Sequence, residues 1–295
     1  MTGSDPITSG SIIVGVDGSP SSEHAIVWAA EEAGLQHRKL TLVHAEQRMS
    51  ANEMAWMSSA GVAPRHINEQ IHADAEQVVT RARAMAAAHC PEEAIETILE
   101  VQDARSLLLD LGSTAAMTVV GTRGHGRVVG LLLGSVSGAL VRHAKTPVVV
   151  ARPVPSPRRG VLIAADGSEE SLGLVEHAYR EASLHRTPLT VVHCLWDGLM
   201  APTPWADVSQ TDPEGEEARL RVAQSTAGMR EKFPDVDTTV RVTRGAVDAC
   251  LVDLSADHDL LVIGRPPRPL LHRLTTSGLT LPVAEHAHCP VLVVP

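Results

Sequence analysis

The sequence is written twice. Ser11-Ile-Ile-Val-Gly-Val-Asp17-Gly-Ser19 returns as Gly160-Val-Leu-Ile-Ala-Ala-Asp166-Gly-Ser168, and Leu40-Thr-Leu-Val-His44 returns as Leu189-Thr-Val-Val-His193, both 149 positions on. Thr118-Val-Val-Gly121 returns as Leu261-Val-Ile-Gly264, and His143-Ala-Lys-Thr-Pro-Val-Val-Val150 as His286-Ala-His-Cys-Pro-Val-Leu-Val293, now 143 positions on. Four blocks in one order define a duplicated domain, and the change of offset falls between the second and fourth blocks, where loop and helix lengths vary most easily. The expected domains are 1–152 and 160–295. Between them Ala151-Arg-Pro153-Val-Pro155-Ser-Pro157-Arg-Arg159 is proline-rich and favours an extended connector. Residues 1–10 are small and polar and read as a disordered leader.

Within each copy, short apolar runs alternate with longer amphipathic stretches. Strands are expected near 11–17, 39–45, 94–101, 115–121 and 146–151, with helices near 20–35, 65–89, 103–112 and 134–143. In the second copy the expected strands are 160–166, 188–194, 238–243, 259–264 and 290–294, and the helices 168–184, 214–232, 246–256 and 277–286. Ser19-Pro20-Ser21-Ser22-Glu23 has the hydroxyls and proline of a helix start. Apolar runs without strict alternation fit central strands covered on both faces. The fold class is α/β: two tandem three-layer α/β/α domains with mainly parallel five-stranded sheets.

Ligands of such sheets sit beyond the carboxyl ends of the strands, and there the first copy carries Gly121-Thr-Arg-Gly124-His-Gly-Arg-Val-Val-Gly-Leu-Leu-Leu-Gly134-Ser135. Glycines let backbone N–H groups approach a phosphate chain, and Gly134-Ser135 opens a stretch whose helical N-terminus would face an anion. The spacing is neither the tight dinucleotide fingerprint nor a Walker A loop, which needs a lysine. A glycine-rich turn without a ligand is the competing reading. Asp17, ending the first strand, is placed to accept ribose hydroxyls or to help order a metal beside phosphates; an Asx turn or helix cap would explain it as well. Asp166 repeats it.

His44 and His193 end the second strand of each copy. No serine or cysteine nucleophile with an acid partner can be assigned beside either, so a hydrogen-bonded core histidine is favoured over a catalytic one. Ala45 and Cys194 follow them and can offer backbone groups to a base. His125 sits in the glycine loop, facing either phosphate or solvent. Met49, Met54, Trp56 and Met57 cover a loop or subunit surface, with no metal-binding spacing.

Hydrophobic residues make up 44% of the 295 and aromatics only 2%, so both cores must be built from aliphatic side chains. The uncharged stretch ending at Val141 is too short to cross a bilayer, and no secretory signal is evident. Cys90, Cys194, Cys250 and Cys289 are scattered, which fits reduced thiols in the cytoplasm better than a disulfide framework. A formal charge of −10 disfavours nonspecific binding to a nucleic-acid backbone, and no base-reading motif is present.

Together, Gly121, Gly124, Gly134 and Ser135 in the pattern Gly, two residues, Gly, nine residues, Gly-Ser, with Val14-Gly-Val-Asp17-Gly-Ser19, Val43-His44 and the Thr146-Pro147 strand, resemble a tandem universal stress protein of the adenine-nucleotide-binding class. The resemblance spans nearly all of 11–294. It implies ATP with Mg²⁺ as cofactors and a role in stress adaptation or growth regulation, without a shared catalytic reaction. It places Gly15, Asp17, Ala45, Gly121, Gly124, Gly134, Ser135, Val136 and Ser137 around the nucleotide: Asp17 near ribose, Ala45 at adenine, the loop with Ser135 and Ser137 at the phosphates. Asp166, Cys194, Gly264 and Ser277 are the second copy's counterparts.

The copies are not equal. Gly264-Arg-Pro-Pro267-Arg-Pro-Leu-Leu-His-Arg-Leu-Thr-Thr-Ser277-Gly278 loses a backbone donor at Pro267 and reverses the final Gly-Ser. Direct phosphate contact by Arg265, Arg268 and Arg273 is an alternative that would compensate. In the first copy Gln102 stands where the family commonly has glycine, which would crowd the adenine pocket. Nucleotide occupancy is therefore expected first in the first copy. The terminal strands 146–151 and 290–294 are sheet edges that need a partner; packing of the two copies through them is expected, with room for a protein partner or a homodimer beyond it.

Overall fold

In the computed structural model, residues 8–59, 64–124, 133–154, 159–168, 171–195, 205–265 and 278–295 are described. The chain divides into two compact units, Met1–Val148 and Val149–Pro295.

The first unit begins with β1 (Ile12–Gly15), then α1 (Pro20–Gln36), β2 (Leu40–Ala45), α2 (Ala51–Ser59), α3 (Pro64–Ala86), β3 (Ile95–Glu100), α4 (Ala104–Gly112), β4 (Met117–Gly121) and α5 (Ser135–His143). β5 (Val148–Ala151) straddles the division. The strand order is β3-β2-β1-β4, with β1 parallel to both β2 and β4 and β2 parallel to β3. Alternation along β1 separates two faces. Ile13 joins Val43, Val120, Leu107, Leu108 and Leu140 in one core beneath α4 and α5. Ile12 and Val14 turn the other way, towards the side where α1 packs on β1 and on α3. All three β1 side chains are fully buried, each contributing about 1.5–3 kcal/mol relative to exposure.

α1 starts as its sequence requires. Ser19 is the cap and accepts from Ser22 N–H, and Pro20 supplies the first helical residue. The helix stops at His37, which is left-handed at φ 52° and whose N–H returns to Ala33 and Gly34 carbonyls. The second unit stops its own first helix the same way at Arg186, φ 54°.

That unit contains β6 (Val161–Ala164), α6 (Leu172–His185), β7 (Leu189–Leu195), β8 (Ala206–Asp207), α7 (Pro213–Lys232), β9 (Thr238–Arg244), α8 (Val247–Ser255), β10 (Leu260–Gly264), α9 (Thr280–His286) and β11 (Val291–Val294). Its order is β11-β10-β6-β7-β9-β8. Five strands are parallel; β8 is an additional antiparallel edge strand on β9. The five-stranded expectation misses β8 because two residues carry no period.

Two helix starts differ from expectation. α6 begins at Leu172, not 168: Glu169 stands where Pro20 opens α1, and Ser171 precedes the helix without capping it by its side chain. α9 begins at Thr280, not 277, after Leu279, which has no capping side chain. Residue 277 lies outside the described residues. The 65–89 helix ends at Ala86, and α2 appears over residues read only as a surface cluster; there Asn68 accepts from Met49 N–H and donates to Met54 Sδ, while Trp56 stays exposed.

Candidate functional site

Beyond the carboxyl ends of β1, β2 and β4 lies a cavity of about 300 Å³. Gly15, Asp17, His44, Ala45, Gly121, Arg123, Gly124, Gly134, Ser135, Val136 and Ser137 line it, together with Gln47, Ala104 and Leu108. The fold thus gathers all nine residues expected around a ligand in the first copy. Gln102 is not among the lining residues. His125 lies outside the described residues.

The glycines are fixed by close approach. A Cβ on Gly121 would stand 2.5 Å from the Ser21 carbonyl oxygen, where β4 passes the start of α1. A Cβ on Gly124 would stand 2.2 Å from Asp17 Oδ2. One on Gly15 would meet Leu108 at 2.9 Å. The loop ends are tied to one another: Gly134 N–H donates to Thr122 O at 2.7 Å, and Arg123 N–H to Ser21 Oγ at 3.2 Å.

Asp17 does two things at once. Its Oδ1 accepts Ser19 N–H at 3.0 Å and Ser19 Oγ–H at 2.6 Å, which is the Asx-type turn. Its Oδ2 is the oxygen packed against Gly124. The local turn therefore orients the carboxylate towards the glycine loop.

α5 begins at this cavity. Gly134 precedes it with extended backbone and no capping side chain, so the helix provides no acceptor for the N–H groups of Ser135, Val136 and Ser137. With Arg142 and His143 in its last turn the dipole is complemented at the far end. The Ser137 hydroxyl, 3.1 Å from Thr122 O and 3.2 Å from Gly134 O, is used within the protein. What α5 presents is main-chain donors and Ser135.

His44 Nδ1 lies 2.7 Å from Val16 O, and His193 Nδ1 3.0 Å from Ala165 O. These are equivalent bonds in the two copies, each tying the end of one strand to the segment after its neighbour. The sequence reading of both as hydrogen-bonded histidines matches this geometry.

In the second unit the matching cavity is about 530 Å³ and includes Asp166, His193, Cys194 and Gly264; Leu174, His177, Leu251, Leu279 and Val283 also line it. Asp166 repeats the turn, with Ser168 N–H and Oγ–H on Oδ1. Burial pushes its carboxyl up, but the Ser168 and Ser171 hydrogen bonds outweigh that and hold it below the usual range. Among the described residues the nearest group to Gly264 is a side chain: a Cβ there would stand 3.2 Å from Leu174 Cδ2. Thr280 Oγ1 donates to Gly264 O at 3.1 Å. Ser277, Pro267 and the arginines at 268 and 273 lie outside the described residues. The sequence did not flag Leu174 or His177, both of which α6 brings to the cavity wall.

Among the described residues no helix is long and apolar enough to cross a membrane. The universal stress protein family model matches residues 9–152 and again 157–295. Universal stress protein Rv2623 of Mycobacterium tuberculosis is 32% identical over 296 residues, covering 96% of this chain and 95% of its own. A universal stress protein of Mycolicibacterium smegmatis is 30% identical over 298 residues, covering 96% of each. A universal stress protein structure from Archaeoglobus fulgidus has the same fold, with TM-score 0.69 over 97% of this chain and 98% of that one at 16% identity. Two family matches in tandem, laid over two units of one α/β fold, place the chain in the universal stress protein family.

Proposed function

We propose that the first unit binds an adenine nucleotide, ATP with Mg²⁺, and that the chain is a cytoplasmic regulator of stress adaptation or growth state controlled by that occupancy. The observation carrying this reading is the closure of Gly121, Gly124 and Gly134 around a cavity that has the Asp17 carboxylate on one side and the start of α5 on the other. Main-chain N–H groups at a helix start suit phosphate; a carboxylate oriented by its own turn suits ribose hydroxyls. Ala45 at the end of β2 offers main-chain groups to the base.

The donor set fits Mg²⁺ as a partner of phosphates. One carboxylate, Asp17, reaches the cavity beside the loop, and Mg²⁺ characteristically takes one or two carboxylates, waters and phosphate oxygens. The ion would neutralise phosphate charge; the protein's part is to orient Asp17 and the α5 donors. No general base is assigned, so the reading is nucleotide-controlled regulation and not catalysis.

The test is equilibrium titration of the full-length chain with ATP and MgCl₂, together with assay of ADP and AMP formation. Saturable binding without multiple turnovers supports the reading. Sustained turnover, abolished by Asp17→Ala, would make the protein an enzyme; no binding at all would leave an interaction module.

A further inference from the structure

The second cavity has chemistry that the first lacks. Cys194 lies one residue before the end of β7, beside Thr243 of β9, its register partner. Thr243 Oγ1 lies 3.1 Å from Cys194 Sγ and 3.4 Å from Cys250 Sγ on α8. Thr243 and Cys250 are fully buried, while Cys194 is half-buried and lines the 530 Å³ cavity. The equivalent positions of the first copy are Ala45, Glu100 and Leu107. Three coordinated replacements thus turn an inert corner into two thiols around a hydroxyl.

The two sulfurs contact the same Thr243 hydroxyl. Hydrogen bonds from the Cys250 thiol and then the Thr243 hydroxyl hold the Cys194 thiol below its usual range, against the opposing effect of burial. The same contact with Cys194, together with burial, pushes Cys250 up. Cys194 thus has the lowered thiol and an opening to the cavity, while Cys250 has the raised thiol and is enclosed. This is the division between an attacking and a resolving cysteine.

We propose that Cys194 and Cys250 form a reversible dithiol–disulfide couple, in which Cys194 reacts with a hydroperoxide entering the second cavity and Cys250 resolves the product. The Cys194 sulfur attacks the peroxide oxygen, forming an S–O bond as O–O breaks; the leaving alkoxide takes the proton given up by Cys194. The Cys250 sulfur then attacks Cys194, forming S–S as S–O breaks; hydroxide leaves with the Cys250 proton as water. Two thiols lose two electrons, and the hydroperoxide becomes an alcohol and water. The disulfide ties β7 to α8 and draws the Cys194 side chain out of the cavity wall. The couple is independent of nucleotide binding in the first unit.

The experiment uses the full-length chain and hydrogen peroxide, followed by alkylation and peptide mapping without reductant. The expected product is a peptide linking Cys194 to Cys250, reversed by a dithiol reductant. Before oxidation, iodoacetamide should modify Cys194 about tenfold faster than the buried Cys90 or Cys289. Cys250→Ala should leave a dimedone-reactive sulfenic acid on Cys194. If the wild-type chain keeps both thiols free under peroxide, or links Cys194 only between molecules, the couple does not exist. The wild-type map decides this even if a variant folds poorly.

Discussion

The two copies share their strands, their Asp-Gly-Ser turn and their strand-end histidine, yet they part where a phosphate would sit. In the first, β4 passes so close to the start of α1 that Gly121 meets the Ser21 backbone, and α5 opens at Ser135 with uncapped N–H groups on the cavity. In the second, Gly264 meets the Leu174 side chain among the described residues, α6 and α9 start later, and the cavity is larger and edged with leucine and valine. The proposed asymmetry is a scaffold kept through duplication and a nucleotide site released in the second copy. The turn at Asp166 is thus evidence of ancestry, and its hydrogen bonds alone do not make a nucleotide site.

The sharpest way to break this comparison is Gly124→Val. The new side chain displaces Asp17 Oδ2 and fills the space between carboxylate and loop. ATP affinity of the full chain should fall about 100-fold, or about 2.7 kcal/mol, with the thermal transition nearly unchanged because Asp17 is a movable side chain. Isothermal titration and a melting curve on one preparation check both halves of the statement.

Gly121→Ala should act on stability instead. Its Cβ would overlap the Ser21 carbonyl, a backbone group that cannot swing aside. An overpacking cost of about 2 kcal/mol follows, read as a lower urea midpoint for the first unit.

A smaller effect belongs to Asp166. Its folded-state carboxyl titrates below the unfolded value, so its contribution is complete above the unfolded pKa of about 4 and is lost as pH falls through the folded one. Asp166→Asn should flatten the acid side of the second unit's stability profile, measured as urea midpoints by limited proteolysis between about pH 5 and about pH 3. An unchanged acid limb would remove the carboxylate from the account.

The smallest effect is expected at Gly264→Ala, the counterpart of Gly121. A methyl 3.2 Å from the end of a leucine side chain is accommodated by a small rotation, costing about 0.5 kcal/mol or less. If Gly264→Ala were as damaging as Gly121→Ala in the urea midpoint of its own unit, the two corners would be alike and the proposed divergence wrong.

Much of this was legible before the fold. Buried parallel strands are continuous apolar runs, so β1, β2, β4 and their repeats stand out, and the Gly121–Ser135 spacing announces the loop. What was not legible has local causes. α2 and β8 are too short or too polar to carry a period. The start of α6 at Leu172 was not legible because Glu169 replaces the Pro20 that marks the start of α1. Cys194 and Cys250 are far apart in sequence and are brought to one hydroxyl, that of Thr243 on β9; scattered cysteines gave no warning of it.

The most direct measurement of the asymmetry is hydrogen–deuterium exchange of the full-length chain with and without saturating ATP and Mg²⁺. Peptides covering β4 and α5, 117–124 and 133–143, should become protected, while those covering β10 and α9, 260–265 and 279–286, should not change. Equal or stronger protection at 260–265 and 279–286 would contradict the account, because it would put the nucleotide in the copy whose loop sequence has lost the second glycine and the Gly-Ser order.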